Sequence, residues 1–152
     1  MILLRRATLI RNSISRATIH HTSARRQDKV MASVLFMGIG GDDPSLQLTP
    51  NVSSQELNAA IDKGSQSLTD AGYKVTLFLP PMMDGIAALE KELQLNKHDL
   101  VLVGAGIRLL PNHTPYFEGI INTVLKYNPG QRFAFNASLE STLESVQRVL
   151  PL

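Results

Sequence analysis

The chain has 152 residues, enough for one domain with a substantial core, and no cysteine, which excludes disulfides, zinc–thiolate sites, iron–sulfur clusters and thiol catalysis. Its net charge of +2 is unevenly spread: residues 1–30 carry seven basic residues against the single acid Asp28, whereas residues 31–152 carry eight basic and twelve acidic ones. The globular part is therefore mildly acidic, which speaks against a nucleic-acid partner, and no apolar run reaches the roughly 20 residues that span a bilayer.

Residues 1–30 are rich in Arg, Ser and Thr and nearly free of acid, the composition of a mitochondrial transit peptide. Ile2, Leu3, Leu4, Leu9, Ile10 and Ile14 alternate with arginines at spacings that give a helix one apolar and one basic face, suited to the import machinery. A basic nucleic-acid-binding arm is the rival reading of the same composition. Arg25 and Arg26 stand where a matrix protease would cut nearby, and His20 and His21 fall within the segment, so neither is taken as a metal ligand. The expected destination is the mitochondrial matrix, with initiation at Met31 giving an untargeted cytosolic form.

From residue 33 onward, strands and helices alternate. The apolar run at 33–39 predicts a strand buried on both faces. Ser53 and Glu56 have the spacing of a capping box, opening a helix with Leu57, Ala60, Ile61, Gly64 and Leu68 on one stripe. Gly72 is placed to stop it. Residues 73–79 predict the second strand, followed by a helix capped by Asp84 with Ile86, Leu89 and Leu93 inward. Residues 99–105 predict the third strand. Thr114 is expected to cap the next helix, with Pro115 at its first position and Phe117, Ile120, Ile121, Val124 and Leu125 facing the core. Residues 132–137 predict the fourth strand, and Ser138 is expected to cap a last helix with Leu139, Leu143, Val146 and Leu150 inward. Four strand–helix units with short connections call for an α/β domain over 31–152: a small doubly wound parallel sheet, flavodoxin- or Rossmann-like, with strand order 2-1-3-4.

In such a sheet the ligand crevice lies beyond the carboxyl ends of the strands where the order reverses, here between the first and third. Those strands end in Gly38, Gly40 and Gly41 and in Gly104 and Gly106, which would leave backbone N–H groups open to a ligand or else only allow sharp exits and close packing. Asp42, Asp43, Arg108, His113 and Asn136 leave strands at the same edge. Arg108 has the geometry to clamp a phosphate or carboxylate, or to pair with Asp42 or Asp43 instead. His113 has the chemistry of a catalytic general acid or base, although the residue type in a loop more often denotes a solvated side chain. Asn136 would orient a ligand or make a turn.

Several familiar patterns fail. The dinucleotide fingerprint needs small residues where Asp43 and Leu109 stand, and an acid where the second strand ends in Leu79-Pro80. The Asp42–Asp43 pair resembles that of receiver domains, but the third strand ends in glycine where a receiver has its phosphoacceptor aspartate. No phosphate loop, nucleophile elbow or zinc-spaced histidine pair is present outside 1–30. No cofactor or metal is assigned.

The stretches DLVLVGAGIRLLPNHTPYFEGIIN and PGQRFAFNASLESTLESVQR resemble a family of short bacterial and fungal proteins with no known activity. The matching residues are Gly104, Gly106, Arg108, Pro111, Thr114, Phe117, Glu118, Asn122, Pro129, Phe135 and Asn136. The resemblance implies a Rossmann- or flavodoxin-like fold and transfers no catalytic residue. The functional expectation is a mitochondrial domain binding an anionic small metabolite or nucleotide at the carboxyl edge of its sheet. The alternative is a non-catalytic interaction module or a subunit of a larger mitochondrial assembly.

Overall fold

A computed structural model describes residues 31–48 and 50–152; the expected transit segment, 1–30, lies outside the described residues. Strands β1 (Ser33–Met37), β2 (Lys74–Phe78), β3 (Leu100–Val103) and β4 (Arg132–Phe135) form one sheet. All pairings are parallel and the order is β2-β1-β3-β4. The expected doubly wound topology is thus present. Each strand stops short of its apolar run, because the residues beyond it already bend into the loops at the carboxyl edge.

The alternation of side chains along a strand builds two cores. Leu35, Met37, Val101 and Val103 pack under α2 (Gly85–Leu95) and α4 (Thr114–Tyr127), which contribute Leu89, Leu93, Ile120 and Val124. Val34, Phe36, Leu100 and Leu102 point the other way, against α1 (Ser54–Asp70) and α5 (Thr142–Val149), with Leu68 and Val146. Residues 34–37 and 100–103 are therefore buried throughout, which explains why β1 and β3 read as unbroken apolar runs.

Local chemistry sets the ends of α1 as expected. Ser53 Oγ accepts from Glu56 N at 3.1 Å, and Glu56 Oε2 accepts from Ser53 N at 2.9 Å. At the other end Gly72 has φ +100°, and its N–H and that of Tyr73 return to Thr69 O and Leu68 O. This is the paired closure that a left-handed residue permits.

Three other helix starts differ from expectation. Thr114 is already helical, so the position before α4 falls to His113. A 3-10 turn at Pro111–His113 runs straight into the helix, and the Thr114 hydroxyl donates back to Pro111 O instead of accepting an N–H. Asp84 precedes α2, at the end of a 3-10 turn (Met82–Asp84), but its side chain makes no capping bond. Ser138 caps nothing, because residues 137–141 form a turn in which Ser141 Oγ accepts from Ala137 N and Ser138 N, delaying α5 to Thr142. On α4 the buried positions are Tyr116, Ile120, Thr123 and Val124, while Leu125 is exposed. A short helix, α3 (Ala105–Arg108), had no signal in the sequence.

Candidate functional site

The ladder between β1 and β3 runs one residue past the strands, with Gly104 N donating to Met37 O at 2.8 Å. That brings the two glycine-rich exits side by side, and steric surroundings divide the five glycines into two kinds. A β-carbon at Gly38 would stand 2.8 Å from Leu79 Cδ2, and one at Gly104 would stand 3.1 Å from Met37 O. At Gly41 it would overlap the Ser54 backbone at the start of α1. These three are packing glycines. Gly40 and Gly106 have nothing within 4 Å of that position and face open space.

The two open glycines front different hollows. Gly106 lies at an apolar crevice of about 80 Å³ between the ends of β1 and β3, walled by Phe36, Ile39, Leu46, Leu57, Ile61 and Leu139. Past Gly106 this crevice meets a wider groove of about 330 Å³ with Leu48, Val52, Leu109 and Leu110 on its sides. Gly40 instead faces a hollow of about 520 Å³ lined by Asp42, Asp43, Asn58 and Asp62. The crevice at the reversal point is therefore apolar, and its neighbour is acidic.

Arg108 enters neither. From the end of α3 its Nη2 donates to Asn136 O at 2.8 Å, and the guanidinium lies over the Phe135 ring, 5.7 Å from the centroid. Its Nε is buried without a partner among the described residues. The alternative pairing with Asp42 or Asp43 is not formed, because the single turn of α3 aims the side chain at β4 and away from β1. Arg148, from α5, donates to the preceding carbonyl, Phe135 O, at 3.2 Å.

Asn136 is fully buried and both ends of its amide are engaged. Oδ1 accepts from Ala105 N at 2.8 Å, satisfying the first residue of α3, and Nδ2 donates to Thr142 Oγ1 at 3.0 Å. It ties the exit of β4 to the exit of β3 and to the start of α5.

His113 is 2% exposed, which corrects the expectation of a solvated loop residue. Nδ1 lies 2.9 Å from Gly106 O, and Nε2 lies 3.3 Å from Ser45 O. The residue is held inside because the 3-10 turn points its ring back between the β1 and β3 loops. Asp43 continues the same network: Oδ1 accepts from Ser45 N and Oδ2 from Met82 N, each at 2.8 Å. Partial burial works to raise its pKa, but the N–H groups of Met82 and Ser45 and the nearby His113 ring help hold it below the usual carboxylate range. Asp42, by contrast, is exposed and accepts from Asn58 Nδ2.

Tyr116 also borders this network and was masked in the sequence by its neighbour Phe117. Its hydroxyl is buried without a hydrogen-bond partner among the described residues. Burial first, and the Asp43 charge second, push its pKa up to about 12, so it stays a neutral phenol. Ser45, Leu57 and Asp62 were likewise missed, since nothing in the pattern marks which loop or helix residue will face a hollow.

No family model, curated protein or solved structure matches this chain. Among the described residues no three His, Asp or Glu side chains are grouped as metal ligands, and no helix is long and apolar enough to cross a membrane. Chemically, the edge offers an apolar slot, an acidic hollow beside it, and one buried imidazole between two loop carbonyls.

Proposed function

We propose that the domain binds a small molecule at the carboxyl edge of its sheet, with an apolar or planar part of the ligand in the crevice between β1 and β3. The observation that carries this reading is Gly106, which faces open space where the crevice widens into its groove, at the position where doubly wound sheets take their ligands. The charges nearby favour a ligand whose polar groups are amines or hydroxyls, since the closest hollow holds three aspartates and Arg108 is turned to β4. A phosphate or carboxylate would require Arg108 to leave Asn136 O, so the anion expected from the sequence is the weaker form of the proposal. The Arg-rich residues 1–30 support delivery to the mitochondrial matrix. A second reading has one observation in its favour: Val52, Leu109 and Leu110, beside the groove, are 41, 56 and 38% exposed, as suits an apolar segment of a partner protein.

A thermal-shift screen of the full chain against nucleotides, flavins, coenzyme A, organic acids, polyols and amines tests the proposal. A ligand at a hundred times its dissociation constant adds about 2.7 kcal/mol, a rise of roughly 5–10 °C for a domain of this size. Gly106→Leu should abolish the shift while leaving the unliganded melting temperature nearly unchanged, because no atom stands where its side chain begins. A shift that survives Gly106→Leu but disappears in Gly40→Leu would move the site to the acidic hollow. No shift with any compound would favour the partner-protein reading.

A further inference from the structure

His113 stands between the two lips of the crevice, and each ring nitrogen faces an atom that only accepts hydrogen bonds. Gly106 O belongs to the lip that follows β3, and Ser45 O to the lip that follows β1. A neutral imidazole carries one N–H and so can close one of these contacts; a doubly protonated ring closes both. We infer that His113 is a proton-operated clasp, joining the Ser45 lip to the Gly106 lip when doubly protonated and releasing the Ser45 lip when neutral. The inference rests on the reading of this crevice as the ligand site and adds how access to it is set.

The shorter contact, at 2.9 Å to Gly106 O, is the one that a neutral ring keeps. The longer one, at 3.3 Å to Ser45 O, is the one it gives up. What moves is therefore the β1 side of the groove, where Leu46, Gln47 and Leu48 directly follow Ser45 and form one wall.

The charges around the ring fit this role. From the β1 loop, the Asp43 carboxylate acts on the imidazole and is itself fixed by Ser45 N and Met82 N, so a counter-charge is held in place. From α4, Tyr116 presents a hydroxyl that stays neutral. From α3, Arg108 turns to Asn136 O and Phe135. Pro111 and Asn112, on the ring's own turn, carry no charge. Asp43 remains ionised to lower pH than an ordinary carboxylate, so the counter-charge beside the ring is constant.

The test uses the unliganded full chain labelled with ¹⁵N, so it does not depend on finding a ligand. Long-range ¹H–¹⁵N spectra report how many protons the His113 ring carries from about pH 5 to about pH 8. Amide hydrogen exchange, corrected for intrinsic rates, reports protection of Ser45 and Leu46, whose N–H groups are held by Asp43, and of Ile107 and Leu109 over the same range. As the ring loses its second proton, protection at Ser45 and Leu46 should fall by roughly tenfold, the effect of one charge-assisted hydrogen bond, while protection at Ile107 and Leu109 holds. His113→Gln should remove the pH step, but the wild-type titration decides the matter even if that variant does not fold. A ring that keeps one protonation state throughout, or loop protection that does not follow the ring, would overturn the clasp and leave the crevice reading standing. A ligand screen without hits would overturn the crevice reading and leave the clasp as measured.

Discussion

The hydroxyl of Tyr116, on α4, rests against the α-carbon of Gly85 at the start of α2, so that any β-carbon at position 85 would overlap it. Gly85→Ala is therefore expected to destabilise the protein by about 1–3 kcal/mol, the usual cost of overpacking. Tyr116→Phe should be neutral or slightly stabilising, because the hydroxyl it removes is buried without a partner. Combining the two should recover only part of the loss, because the Cζ and Cε2 carbons of the ring would still stand 2.7 and 2.8 Å from a β-carbon at position 85. Urea midpoints of the two single variants and the double variant complete the cycle, and additive losses would show that the hydroxyl is not the obstacle.

Two adjacent glycines should respond in opposite ways to the same substitution. Gly41→Ala forces a β-carbon into the Ser54 backbone and disturbs the Gly41 N–H bond to Asn58 Oδ1, so the melting temperature should fall by several degrees. Gly40→Ala meets nothing and has no positive φ to strain, so its melting temperature should stay level or rise slightly.

Asn136 is expected to be the most sensitive polar position at the carboxyl edge. Asn136→Ala leaves Ala105 N and Thr142 Oγ1 without their partner and should cost about 2–4 kcal/mol. Asn136→Asp keeps the acceptor for Ala105 N but buries an unpaired charge. Its defect should shrink as pH falls, when the acid regains a proton and can donate to Thr142. Thermal melts of both variants at two pH values would show this crossing pattern; equal losses at both would argue against it.

Acid should weaken the fold through two aspartates. Asp43 is held below its usual pKa by Ser45, Met82 and the His113 ring despite partial burial. Asp99 is held low by Ser33, whose backbone N–H and hydroxyl both donate to its Oδ2. The unfolded chain binds these protons more readily than the folded one, so stability rises with pH across the window and is fully present above the ordinary aspartate value of about 3.9. It is lost as pH falls below that value through the folded ones. In urea titrations, Asp43→Asn and Asp99→Asn should each flatten the slope below about pH 4 and lower stability at neutral pH.

What the sequence made legible follows from whether the relevant chemistry is local. Ser53 with Glu56, and Gly72, act within a few residues, and both ends of α1 stand where their spacing put them. The parallel sheet followed from the alternation of elements and the handedness of crossovers, whereas its order, β2-β1-β3-β4, matches the flavodoxin-like arrangement and is not fixed by those local patterns. Thr114 carried an equally local signal, but the 3-10 turn before it took over the helix start. For the candidate site, the location at the glycine exits was readable and the orientation of its side chains was not. Which way Arg108 points depends on α3, a single turn fixed by Asn136, 31 residues further along the chain than Ala105. Gly40 and Gly41 are identical in type, and only the approach of α1 separates an open position from a closed one.

The sheet stops at β4, which pairs with no further strand among the described residues. A bare parallel edge invites a strand from another copy and, with repetition, a growing fibre. Here the last carbonyl of β4, Phe135 O, is already taken by Arg148, while Arg132 opens the strand at the other end. An incoming copy would find that acceptor occupied and would bring its own positive side chains against the first set. Arg148 and Arg132 thus guard the margin of the sheet, making polymerisation a hazard of replacing them with small neutral residues.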